Sequence, residues 1–480
     1  MTASATTQQG AAAAVPAAGE KPSILGYLPN DRPPLARMAI LGFQHVLTMF
    51  PATVLVALLV GFDIGAVLVM SGVATIVALT LSRLLTGKFI PLYYGSSFSY
   101  IAATLALTQV GFGEYAGQEL VSLAQVGIVA TGVVNVLVGL AIRFAGGKQF
   151  IDKLLPPVVT GSVATVIGIA LAKAALDMAS AHWLVALFTL LATVLLSVYL
   201  QGRGFVGLIP ILLGAVAGYV ASIPFGLVDF SPLLAAPLFQ VPRFSLPAFG
   251  DPRAWEAVGT IAVIAIATIP ESTAHLYQIG LYVDKLAERM GREKYHLSEL
   301  IGINLVLDGL GDLINGMFGG VAGTNYGENN SLMVITRNYS GPVLIAAGVL
   351  AVGLGFLGKL SAVIATVPVA VTGGLAIYLF GVIGMQGVAL IMSEKVDLYD
   401  PRQLAIGAVI LVVGIGGHIG FDGSLPIPVL TTIFPDGLPA IPTAAVLGIL
   451  LNLIFLIFPV KAEVPEAALP ESVEAASAAR

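Results

Sequence analysis

Gly319-Gly320-Val321-Ala322-Gly323-Thr324-Asn325-Tyr326-Gly327-Glu328 opens onto a short apolar run, Leu332-Met333-Val334-Ile335, with much longer apolar segments on either side. Glycine at this density disfavours a helix, so the stretch reads as extended backbone. Extended backbone at membrane depth is tolerated only where it is buried in protein or lines a cavity. The short helix that follows would aim unsatisfied N–H groups and a positive dipole end into that cavity. A second stretch of the same character, Ile90-Pro91-Leu92-Tyr93-Tyr94-Gly95-Ser96-Ser97-Phe98, lies early in the chain. One such cluster would suit an ordinary kinked helix. Two at matching places argue for a built feature.

The surroundings justify reading these stretches as membrane segments. The chain has 480 residues, 57% of them hydrophobic and only 10% charged, with mean hydropathy +0.95. A soluble domain carries about 25% charge, and several segments here reach the roughly 20 apolar residues that cross a bilayer. With no Cys, disulfides and thiolate metal sites are excluded. The net charge of −5 and the absence of a basic patch give no sign of a nucleic-acid partner. Residues 1–30 and 461–480, rich in Ala with Thr, Gln, Pro or Glu, read as disordered tails. Residues 31–460 read as the transmembrane unit, and the lipid bilayer as its partner.

Apolar runs set against charged breaks give about fourteen spans of an all-α polytopic membrane protein. They begin near Arg37, Asp63, Pro91, Ser122, Leu154, His182, Phe205, Arg253, Leu300, Thr324, Gly341, Val363, Arg402 and Leu438. With the N-terminus in the cytoplasm, 18 of the 22 Lys and Arg fall inside and 4 outside. That is the direction the positive-inside rule requires, and it puts both termini in the cytoplasm.

The chain also echoes itself. Pro156, Val159, Thr160, Gly161 and Ala164 recur at the same spacing as Pro368, Val371, Thr372, Gly373 and Ala376. Tyr94-Gly95 with Ser99 recurs as Tyr326-Gly327 with Ser331. More loosely, His45 precedes Gly95 by 50 residues and His275 precedes Gly327 by 52. Three echoes in one order argue for a duplicated seven-span unit. Seven is odd, so the second copy enters the membrane inverted, as in secondary transporters with a substrate site near the midplane. The short extended segments then open spans 3 and 10.

Ionisable groups inside spans are costly and usually line a pathway. Glu271 and His275 share one helix face by their i, i+4 spacing. Glu328 stands at the start of the tenth span and His45 lies in the first. Asp308 and Asp312, one helical turn apart in the ninth, read as structural or peripheral. Carboxylates accept hydrogen bonds from ring N–H groups, half-helix N–H groups donate to ring carbonyls, and Phe98 can stack on a flat ring. Together these suit a neutral planar lactam such as uracil, and two glutamates would repel an inorganic anion. Desolvation favours the protonated form of a carboxylate, which is the requirement for carrying a proton.

Asn325-Tyr326-Gly327-Glu328-Asn329-Asn330 through Ile335-Thr336-Arg337 resembles the signature of the nucleobase–cation symporter-2 (nucleobase–ascorbate transporter) family. Gln44-His45, Gly95-Ser96-Ser97-Phe98 and Glu271 with His275 resemble the same group, over residues 33–459 or so. The resemblance implies a core of spans 1–4 and 8–11 (about 35–145 and 253–358). It implies a gate of spans 5–7 and 12–14 (about 150–228 and 360–460). It implies that Glu271 and Glu328 hold the base, with Phe98, Tyr326 and Gly327 completing the site. His275, His45 and Asn329 would support it or take part in proton coupling. Glu at position 328 favours uracil over purines, and a homodimer through the gate is implied as well. Pro270 before Glu271, the filling Ser272-Thr273-Ala274, and Asp308 and Asp312 depart from the uracil carriers of that family.

The expectation is therefore a bacterial inner-membrane, proton-coupled uracil symporter, without cofactor or metal and not an enzyme. The alternatives are a carrier of xanthine, urate or another nucleobase, or an anion exchanger or channel of the same architecture. Gly353-Leu354-Gly355-Phe356-Leu357-Gly358 spells a dinucleotide fingerprint but lies in an apolar span without βαβ context. The five His show no metal spacing.

Overall fold

The computed structural model describes residues 26–145, 153, 155–428, 434 and 437–458. The chain begins with two long apolar helices, α1 (Leu35–Val60) and α2 (Ile64–Thr86). Gly61 closes α1 at φ 74°, and the Asp63 side chain caps α2 by accepting from the Ala66 N–H at 2.9 Å. The extended stretch follows as β1 (Tyr94–Ser96), then a 3-10 turn at Phe98–Tyr100 and α3 (Ile101–Thr108). Next come α4 (Gly117–Ala145), α5 (Pro157–Ala170), α6 (Ala172–Ser180), α7 (Trp183–Tyr199), α8 (Pro210–Ser222) and the short α9 (Ser231–Ala235).

The second half runs α10 (Ala254–Ile261), α11 (Ala265–Arg289), α12 (Ile301–Phe318), β2 (Gly323–Asn325), α13 (Gly327–Thr336) and α14 (Gly341–Gly355). It closes with α15 (Gly358–Ala365), α16 (Val369–Ser393), α17 (Pro401–Leu411), α18 (Gly417–Gly420), β3 (Ser424–Leu425), β4 (Leu438–Pro439) and α19 (Ala440–Ile457). Among the described residues, eight helical stretches are long and apolar enough to cross a membrane, and four shorter apolar ones accompany them. The molecule is a mostly helical, multi-pass membrane protein. The start expected near Val363 falls inside α15, because Pro368 ends that turn and caps the long helix α16.

The halves interleave. α4 packs on α12 and α2 on α14, and glycines set both distances. A Cβ on Gly132 or Gly139 of α4 would stand 2.6 or 2.7 Å from the Gly309 or Gly302 carbonyl of α12. Gly65 and Gly72 meet Gly355 and Gly348 in the same way across α2 and α14, at 2.6 and 2.5 Å. Within lipid, where burial of apolar surface drives nothing, such close backbone approach supplies the packing. α5 packs separately against α16, and α17 against α19 and α5.

Two details revise the sequence reading. Residues 26–30, assigned by composition to a disordered tail, are packed: Tyr27 bridges to Asn338 and Leu28 is fully buried. The rest of that tail and residues 461–480 lie outside the described residues. The Pro156 and Pro368 echo holds in space, since each caps its helix. The Tyr-Gly echo does not: Tyr94-Gly95 lies within β1, whereas Tyr326-Gly327 is where α13 begins. The residues that cap the two short helical starts are Ser97 and Tyr326, three places out of that register.

Candidate substrate site

β1 and β2 pair antiparallel with Tyr94 opposite Asn325, Gly95 opposite Thr324 and Ser96 opposite Gly323. The ladder extends at both ends, from Tyr326 N–H to the Tyr93 carbonyl (2.9 Å) and from Ser97 N–H to the Ala322 carbonyl (3.0 Å). A side chain on Gly95 would run into the Tyr326 ring, so glycine is the residue that lets the strands meet beside a tyrosine. That ring also stacks on Tyr93 at 6.2 Å, and its hydroxyl bonds Thr53 of α1 at 2.9 Å.

Helices behind the strands hold them in place. Ser71 and Thr75 of α2 donate to the Tyr94 carbonyl at 2.7 and 3.1 Å, and Thr75 accepts from the Tyr94 N–H at 3.0 Å. Asp312 of α12 accepts from the Gly323 N–H at 2.7 Å and from the Asn135 amide at 3.0 Å. Ser272 of α11 accepts from Asn325 (2.6 Å) and Asn304 (2.9 Å). Every side chain in this frame is buried, so each unpaired group would be costly. Asp312, read from the sequence as structural or peripheral, thus holds the strand itself. Asp308 is buried beside it with Oδ2 unpartnered.

In front of the strands lies a cavity of about 1010 Å3. Phe98, Glu271, His275, Tyr326, Gly327 and Glu328 all line it. Glu271 comes from α11, one residue after Pro270, whose missing N–H interrupts the helix ladder there. Glu328 sits in the first turn of α13, where the N–H groups of Gly327, Glu328 and Asn329 have no helical partner. Among the described residues, neither glutamate forms an ion pair. Apart from its own backbone N–H, which the Glu328 carboxylate accepts, neither has a hydrogen-bond partner among the described residues, and both can receive an incoming donor.

The three supporting residues lie in two different places. No hydrogen bond or ion pair joins His275 to Glu271. The His275 ring instead meets the backbone of Asn325, with Nε2 about 3.0 Å from where a Gly327 side chain would start. It stands against the strand-to-helix junction. His45 is buried and absent from the cavity wall; its ring and carbonyl receive the Asn329 amide at 3.0 and 3.1 Å. His45 and Asn329 are therefore one unit that ties α13 to α1.

The opposite wall carries residues that sequence reading did not assign to the site: Thr160, Ser197, Tyr378 and Gln386, from α5, α7 and α16. The recurring Thr160 was the available signal, since it belongs to the echoed segment. Gln386 had none, being one amide in an apolar span.

The family model Xan_ur_permease, described as a permease family, matches residues 36–423. A uracil permease of Bacillus caldolyticus is 37% identical over 437 residues, covering 88% of this chain and 93% of that one. A uracil permease of Escherichia coli K12 is 34% identical over 399 residues, covering 81% and 86%. Among solved structures, the transmembrane domain of the cyanobacterial bicarbonate transporter BicA superposes with TM-score 0.53 at 16% identity, covering 87% of this chain and 99% of that one. The murine anion transporter Slc26a9 in its inward-facing state superposes with TM-score 0.59 at 11% identity, covering 89% and 69%. At such identities these two likenesses speak for the fold alone.

Proposed function

The chain belongs to the nucleobase–cation symporter-2 permease family, and from that premise we propose that it imports uracil together with a proton. It is a permease and not an enzyme. The observation that carries the reading is the placement of Glu271 and Glu328, from two different elements, on one cavity wall beside Phe98 with no ion pair to occupy either. Uracil offers two ring N–H groups to carboxylates and two carbonyls to the free N–H groups at the start of α13. Phe98 supplies an apolar face for the flat ring. A proton on one carboxylate removes a charge that would otherwise cross the membrane uncompensated, and this couples the loaded movement to the gradient.

The movement is alternating access of a core against a gate, within fourteen spans in two inverted repeats. Three features support it. β1 and β2 occupy corresponding places in the two halves and run in opposite directions. The cavity has α11, α13 and the strands on one side and α5, α7 and α16 on the other. Behind the strands α1, α2, α4, α12 and α14 pack chiefly among themselves, and on the other side α5, α6, α7, α8 and α16 do the same. Transport of an inorganic anion, the kind of cargo named for both structural neighbours, fits this chain less well, because among the described residues its cavity is lined by two carboxylates and by no lysine or arginine.

The test is uptake of radiolabelled uracil into proteoliposomes, with and without an inward proton gradient, for the wild type and Glu328→Gln. Gradient-driven uptake that the substitution abolishes is the expected result. Uptake indifferent to the gradient removes the proton from the mechanism. Transport of xanthine or urate in place of uracil overturns the substrate.

A further inference from the structure

A second cavity, of about 650 Å3, lies away from the transport path where α1 begins, α2 ends and α14 begins. Arg32 and Arg83 stand at its mouth with Asn30, and Phe89, Ile345 and Val349 continue it along α14. From Pro342 to Leu350 that helix advances about 12 Å at 1.5 Å per residue, so the trough leads inward from the helix ends along an apolar wall. Val349 is 56% exposed there.

Several cations near this end already have partners. Arg292 pairs with Asp31 at 2.7 Å, and that carboxylate holds its guanidinium above the ordinary value. Lys88 donates to the Tyr295 carbonyl at 2.8 Å, and Arg37 lies over the Tyr27 ring at 5.2 Å. Among the described residues, Arg32 and Arg83 have neither an ion pair nor a side-chain hydrogen bond. The guanidinium of Arg83 lies 5.9 Å from the centre of the Phe89 ring, which is where the apolar trough starts. Asn30 fixes this mouth by donating to the Gly87 carbonyl (3.3 Å) and accepting from the Phe89 N–H (3.1 Å). Solvated arginines would account for the charge, but not for an apolar channel running from them.

We propose that this cavity binds an anionic phospholipid, with its phosphate between Arg32 and Arg83 and one acyl chain along Phe89, Ile345 and Val349. Guanidinium groups suit phosphate geometry, and basic pockets between membrane helices are places where acidic headgroups dwell. The site belongs to the cation-rich end of the molecule, where such lipids meet attraction and neutral ones do not.

The test equilibrates the purified full chain in detergent with dioleoylphosphatidylglycerol or dioleoylphosphatidylcholine and measures bound lipid by native mass spectrometry. The glycerol lipid should be retained strongly and the choline lipid weakly. The double variant Arg32→Gln, Arg83→Gln should bind the glycerol lipid roughly 30-fold more weakly, the factor two cations contribute at a membrane surface. Val349→Trp, which fills the trough and keeps both arginines, should also displace it, and it serves should the double variant not fold. Equal retention of the two lipids, or unchanged retention in either variant, overturns the proposal. Displacement of the lipid by millimolar inorganic phosphate overturns it too, by reducing the site to a headgroup-only anion site.

Discussion

The two half-crossings that meet in the cavity share a backbone and differ in what they present. After β1 comes a 3-10 turn and an eight-residue helix with no carboxylate, histidine or cation from Phe98 to Thr108. After β2 comes α13, with Glu328 in its first turn and Asn329 and Asn330 buried against its neighbours. Alignment on the capping residues Ser97 and Tyr326 puts Ser99 opposite Glu328. The first half-crossing gives the cavity an aromatic wall and hydroxyls; the second gives it charge and free N–H groups. Duplication supplies the frame, and single side chains divide the labour.

Removing the charge should test that division most severely. Glu328→Gln is expected to weaken equilibrium uracil binding by about 10- to 100-fold, the worth of a hydrogen bond to a charged group at about 1.5–3 kcal/mol. Ser99→Ala, at the matching place, should change it less than about threefold; comparable losses would erase the distinction. Next in size is the frame. Asp312→Ala leaves the Gly323 N–H and the Asn135 amide unpaired and should cost about 2 kcal/mol of stability, measured by thermal unfolding in detergent. Asp312→Asn, which keeps an acceptor for Gly323, should recover part of it. An Asp312→Ala protein as stable as wild type would show that β2 needs no support from α12.

Gly95→Ala forces a methyl group into the Tyr326 ring and should cost about 1–3 kcal/mol, read in the same unfolding assay. Gly327→Ala, whose methyl would stand 3.0 Å from His275, should lower uracil affinity more than stability. The reverse ranking would put the tighter junction on the second half-crossing. Smallest is Phe98→Leu, which keeps an apolar wall and loses ring stacking. The expected loss is about threefold to tenfold in uracil affinity, from about 0.5–1.5 kcal/mol per aromatic pair.

Much of this was legible in the residues because membrane physics leaves strong marks. Glycine and proline inside apolar runs marked both extended stretches, and a carboxylate in an apolar run is costly enough to be noticed singly, as with Glu271 and Glu328. The frame was less visible. Ser71, Thr75, Ser272 and Asn304 are small polar residues of a kind found throughout membrane helices, and nothing in one sequence says that two helices bring them to one strand. His45 and Asn329 were each singled out, but their bond to one another spans 284 positions and leaves no local trace. The Tyr-Gly echo misled because chemical likeness was taken for equivalent position. The caps, which fix where a helix starts, carry the true register.

The antiparallel pairing of β1 with β2 also orders events during synthesis. Ser96 must wait for Gly323, about 230 residues later, or roughly ten to fifty seconds at about 5–20 residues per second. Throughout that interval the first strand has no partner, and hydrocarbon would not accept its bare backbone. Ser71 and Thr75, already present in α2, occupy both backbone groups of Tyr94. These hydroxyls can act as placeholders that hold the nascent first half in a membrane-compatible form until the second half arrives to finish the ladder.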